Sequence, residues 1–91
     1  MEDEKIIELF FARSEQAIKE LDSKYGKVCY SISYNILNNN LDAEECVNDA
    51  YLGTWNAIPP QKPNPLLAFV CKIVRNVSLM RHRTNTAMKR N

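Results

Sequence analysis

All four prolines of this 91-residue chain lie between Pro59 and Pro65, and Gly26 and Gly53 are its only glycines. Proline deletes a backbone donor and restricts the residue before it, and glycine loosens whatever segment holds it. Almost all of the breaking capacity is therefore packed into one short stretch, with long uninterrupted segments on either side. That distribution favours helices over the frequent tight turns of a sandwich or barrel. At 91 residues the chain makes one domain with a single modest core, which excludes a two-domain enzyme. Hydrophobic residues at 45% and charged residues at 25% exclude a disordered or collagen-like chain.

Helical spacing then divides the chain. From Glu2 to Leu21 the apolar positions Ile7, Phe10, Phe11, Ala17, Ile18 and Leu21 are interrupted by Arg13, Ser14, Glu15 and Gln16, which predicts two helices, the second capped by Ser14 and running to about Asn38. A turn at Asn38, Asn39 and Asn40 follows, and Asp42 with Glu45 three positions on resembles a capping box for a third helix to about Ala57. One stripe of this helix is Ala43, Cys46, Val47, Ala50, Tyr51 and Thr54. The other carries Glu44, Glu45, Asn48, Asp49, Asn56 and, as its one apolar member, Leu52. Such a face is either solvated or a protein-binding surface centred on Leu52.

After the proline loop, Asn64 and Pro65 read as cap and first position of a last helix running to about Arg83. Leu66, Phe69, Val70, Ile73, Val77 and Met80 form its expected buried stripe, with Ala68, Lys72, Arg75, Asn76, Leu79, His82 and Arg83 opposite. The expected architecture is all-α, a compact bundle of about four helices over residues 1–83.

Charge is unevenly divided. Residues 1–58 hold five cations against eleven acids, net −6, whereas residues 59–91 hold seven cations and no acid, net +7. An acid-free basic end suits a polyanion such as nucleic acid, and an acidic end suits a basic protein surface. Cys29, Cys46 and Cys71 are odd in number and widely spaced, which fits buried thiols in a reducing compartment better than disulfides or a metal site. No apolar run approaches the ~18 residues of a membrane span, and a cytoplasmic location without membrane insertion is expected. The single His82 lies between Arg81 and Arg83, and no nucleophile elbow, phosphate loop or metal-ligand spacing accompanies it. A non-enzyme without cofactor or metal is expected.

The stretch from Asp42 to Trp55, Asp-Ala-Glu-Glu-Cys-Val-Asn-Asp-Ala-Tyr-Leu-Gly-Thr-Trp, resembles the signature of the second region of bacterial RNA polymerase sigma factors of the extracytoplasmic-function type. Leu66 to Asn76 is similar to the helix that follows it in that family, with Phe69 where the family usually has Trp. Between Trp55 and Pro65 the chain has no Phe or Tyr, unlike housekeeping sigma factors. The resemblance implies that Glu45, Asn48, Asp49 and Leu52, with Tyr51 and Trp55 at the margin, dock on the coiled coil of the polymerase's largest subunit. It implies that Gln61, Lys62 and Asn64 in the loop and Lys72, Arg75, Asn76, Leu79 and Arg83 on the last helix recognise the promoter minus-ten element as single-stranded non-template DNA and help to melt it. An anti-sigma protein is a further partner that the resemblance implies. Residues 84–91 resemble the start of an interdomain linker, beyond which the family places a helix-turn-helix domain that reads the minus-thirty-five element. Two other readings stand beside it: a helical protein-interaction module whose basic helix is only solvated, and a dimeric regulator of duplex DNA.

Overall fold

In the computed structural model, which describes residues 1–89, the breaker-poor segments are helical and the proline stretch is not. The elements are α1 (Asp3–Phe11), α2 (Gln16–Leu37), α3 (Asn40–Ala57) and α4 (Leu66–Lys89). Helices α2, α3 and α4 pack against one another, and α1 lies on α2. The all-α bundle expected from the sequence is the observed fold.

The nine residues of α1 are too few for a stable helix alone, so tertiary burial holds it. Ile6 and Phe10 are fully buried, each worth about 1.5–3 kcal/mol relative to exposure. The helix ends in a Schellman motif: the Ser14 N–H donates to the Leu9 carbonyl and the Arg13 N–H to the Phe10 carbonyl, both at 3.0 Å. Arg13 takes the left-handed position at φ 56°, where glycine is usual. The cap position of α2 is Glu15, one residue after the expected Ser14, whose Oγ nevertheless accepts the Gln16 N–H at 3.2 Å.

Inside α2, Gly26 leaves room for a neighbour. A Cβ there would lie 2.5 Å from Asp22 Oδ1, the atom that accepts the Tyr51 hydroxyl of α3 at 2.7 Å. The α2 helix closes at Asn38, left-handed at φ 54°. Asn39 caps α3 by accepting the Asp42 N–H at 2.9 Å. The cap is therefore Asn39, and α3 starts two residues before Asp42. Glu45 is not part of it, because a carboxylate six residues from the cap is beyond the first turn.

The expected stripe of α3 is buried throughout, from Ala43 to Thr54. In α4 the fully buried row is Leu66, Val70, Val74 and Ser78, a four-residue ridge. Phe69, Ile73 and Val77 are only half-buried and Met80 is 64% exposed, which corrects the stripe expected for this helix. Ser78 enters the core because its hydroxyl donates to Ser33 of α2 at 2.7 Å, so neither polar group is left unpaired. The helix also passes its expected end at Arg83 and continues to Lys89, since Thr84 to Lys89 contain no breaker. Of residues 84–91, Arg90 and Asn91 lie outside the described residues.

Candidate functional site

Two surfaces of opposite charge flank the contact between α3 and α4. On the outer face of α3, Glu45, Asn48, Asp49, Leu52 and Asn56 are all exposed, and Leu52 is 60% exposed at its centre. Leu41, three turns before it and 73% exposed, is a second leucine on this face that the charge pattern alone did not single out. Between α2 and α3 an open groove of about 490 Å³ is lined by Glu15, Ile18, Lys19, Asn48, Tyr51, Leu52 and Trp55. Asn48 and Leu52 thus belong at once to the exposed face and to a concave apolar edge.

Three residues expected on this surface are otherwise engaged. Tyr51 is 5% exposed; it forms a wall of the groove, while burial and its bond to the Asp22 carboxylate push its hydroxyl pKa upward. That setting makes it a core residue whose edge meets the groove beside Leu52 and Trp55. Glu45 accepts from Arg81 of α4 at 3.0 Å, and the same guanidinium nitrogen donates to Asp42 at 2.9 Å. Asn85 donates to the other Asp42 oxygen at 3.0 Å. The hydrogen bond to Glu45 raises the Arg81 pKa, outweighing the effect of desolvation. Arg81 therefore ties the acidic face to α4. It is one cation withdrawn from the basic face.

Trp55 is half-buried and clamped. Its ring lies 6.1 Å from that of Phe10, and the Arg13 guanidinium sits 3.8 Å above it. Arg13 Nη1 also donates to the carbonyls of Trp55 and Ile58, each at 2.8 Å. Sequence reasoning missed this role because Arg13 registers only as a polar interruption more than forty residues from its partners.

The basic surface is the outward side of α4. Lys72, Arg75, Asn76 and Arg83 are exposed on it, with Leu79 half-buried among them and His82 exposed at its edge. At 100° per residue Lys72, Leu79, Asn76 and Arg83 fall within one quadrant, opposite the buried ridge. Among the described residues none of these side chains makes an ion pair. The loop residues Gln61, Lys62 and Asn64 are exposed before the start of this helix. Lys62 and Asn64 face α1 across an open cleft of about 580 Å³, whose other wall carries Asp3, Glu4, Ile7, Glu8 and Phe11. The Lys62 ammonium lies 5.3 Å from the Phe11 ring.

The three thiols are held away from reactivity. Cys29 and Cys46 are buried and Cys71 is half-buried, and desolvation pushes all three pKa values up, that of Cys29 to about 11. Among the described residues no group of three His, Cys, Asp or Glu side chains can hold a metal ion. No helix among them is long and apolar enough to cross a membrane.

A helical bundle with a leucine-centred acidic face beside an acid-free basic face is a two-surface binding protein. The model of the Sigma-70 region 2 family matches residues 12–88, and the chain belongs to that family. A domain of this family is a non-enzymatic part of a transcription initiation factor, acting in core RNA polymerase binding and promoter recognition. Comparison with curated proteins found no match, and comparison with solved structures found none.

Proposed function

We propose that the α3 face docks on the coiled coil of the polymerase's largest subunit while the loop and α4 take the promoter minus-ten element as single-stranded non-template DNA and help to melt it, as in sigma factors of the extracytoplasmic-function type. The observation that carries this reading is the separation of surfaces: exposed Leu52 within Glu45, Asn48 and Asp49 on one helix, and Lys72, Arg75, Asn76, Leu79 and Arg83 on the next. Trp55 supports the docking edge from its clamped position. In this reading Lys72, Arg75 and Arg83 hold phosphates, Asn76 offers an amide to a base edge, and Gln61, Lys62 and Asn64 meet an unstacked base. Capturing a base already out of the stack offsets the few kcal/mol of unstacking, so opening needs no nucleotide hydrolysis.

The proposed setting is the bacterial cytoplasm, with an anti-sigma protein as a competitor for the α3 face. Residues 84–91 are the proposed start of an interdomain linker, whose first part prolongs α4.

Binding of the purified chain to the polymerase coiled-coil fragment tests the docking half. Micromolar or tighter binding is expected, with a loss of at least about tenfold in Asp49→Ala and in Leu52→Ala, since truncating a central interface residue commonly costs more than 1 kcal/mol. Equal binding by both variants, with their helicity intact by circular dichroism, would remove α3 from the interface.

A further inference from the structure

Four of the seven residues from Pro59 to Pro65 are prolines and bring no backbone donor, so this loop has few amides with which to fix itself. One internal anchor is the Gln61 N–H on the Ala57 carbonyl at 3.1 Å. A stronger anchor comes from outside. Arg13 Nη1 bridges the Trp55 carbonyl, in the last turn of α3, and the Ile58 carbonyl, where the loop begins. The guanidinium carbon lies 3.8 Å from the Trp55 ring centroid at the same time. No basic residue of α3's own stands in its last turn, so Arg13 also supplies the cation that a helix C-terminus favours. Its backbone occupies a left-handed position that a glycine would take without strain, which marks the side chain as the reason for the residue.

We propose that Arg13 is a positioning residue for strand capture: a strap that fixes the angle at which the Pro59–Pro65 loop leaves α3, and so holds Gln61, Lys62 and Asn64 in place for an unstacked base. The proposal rests on the DNA-binding reading of the loop and α4. Arg13 itself need not touch DNA. A lysine ammonium cannot bond both carbonyls and lie over the Trp55 ring at the same time, as the guanidinium does, and preorganising the loop raises affinity by removing the ordering cost of binding.

The test is the affinity of the full chain for a short labelled A/T-rich single strand, followed by fluorescence anisotropy over a range of salt concentrations. Trp55 is the only tryptophan, so its emission reports the state of the strap directly. Arg13→Ala and Arg13→Lys are both expected to shift the Trp55 spectrum and to weaken binding by about fivefold or more through lost preorganisation, with the salt slope unchanged. Arg83→Ala, a direct phosphate contact, is expected instead to lower the slope by about 0.7. Val70→Ala, a core truncation in α4, controls for stability and is expected to bind within about twofold of wild type while folded. Arg13→Lys carries the decision where Arg13→Ala does not fold. Wild-type affinity in Arg13→Lys overturns the strap, because charge alone then suffices. A slope lowered by about 0.7 in Arg13→Ala overturns it too, because Arg13 would then be a phosphate contact. A wild-type chain that leaves the strand unbound overturns the DNA reading itself and the strap with it, an outcome distinct from normal wild-type binding with unaffected Arg13 variants.

Discussion

The two glycines sit in helices for different reasons, and the difference is measurable. At Gly26 a methyl group meets the Asp22 carboxylate at 2.5 Å, and since that group is the end of a flexible side chain, it is the part that gives way. Displacing it breaks the 2.7 Å bond from Tyr51, a bond to a charged acceptor worth about 1.5–3 kcal/mol, against about 1 kcal/mol gained in helix propensity. Gly26→Ala is therefore expected to lower stability by about 1 kcal/mol in urea unfolding. At Gly53 the nearest side-chain atom, Ile73 Cγ2, is 3.4 Å away, an ordinary contact. Gly53→Ala should raise stability by up to about 1 kcal/mol in the same assay. Cys29 gives a pH signature. Burial raises its thiol from an ordinary 9.0 to about 11, so between those values the unfolded chain loses a proton that the folded chain keeps. Unfolding is thus favoured as pH rises through that window, and Cys29→Ala should show a shallower decline in stability than wild type between pH 9 and 11. The burial of Cys29 was readable in the sequence, but the role of Gly26 was not, since it looked only like a weak point of its helix. Its partner Asp22 is one turn away, but the reason for the arrangement is Tyr51 on another helix.

At the level of elements, α3 was the most legible part of the chain. Its buried stripe alternates with polar residues at true helical spacing, and a stripe packed against two helices needs no knowledge of its partners. Its start was less clear, because three consecutive asparagines offer three caps and only the backbone decides among them. Asn39 is extended at φ −146° and accepts the Asp42 N–H; Asn38 is left-handed and ends α2. Asn39→Ala is expected to cost about 1 kcal/mol in thermal or urea unfolding, more than the same change at exposed Asn56. The stripe of α4 failed for a geometric reason. A helix wedged between α2 and α3 buries the four-residue ridge that fits its neighbours' grooves, and Ser78 is carried into the core along that ridge by Ser33. A reading based on hydrophobicity places Met80 inside and Ser78 outside, the reverse of what packing selects.

For the whole molecule, the division of charge between the two halves of the chain was legible from composition, and the fold keeps it as two separate surfaces. The candidate site residues on α4 share one face as the periodicity implied. What escaped the sequence were the side chains that join elements: Arg13 to α3, and Arg81 to Asp42 and Glu45, each spanning more than thirty residues of chain. A surface with unpaired cations binds a polyanion by releasing its counterions, so strand affinity should fall linearly with salt on logarithmic axes. The combined change Lys72→Ala and Arg75→Ala should reduce that slope by about 1.4, whereas an unchanged slope would mean that the α4 face is merely solvated.

The carboxylates of α1 have a bearing on how a strand can lie. Glu4 and Glu8 stand across the cleft from Lys62 and Asn64, while Asp3 beside them is held by Lys24 and Tyr25. A sugar-phosphate chain is turned back by this acidic fence, while the amino groups of bases are not, since a carboxylate accepts from them. Under the proposed reading, a captured single strand is expected to lie with its base edges, rather than its phosphates, toward α1.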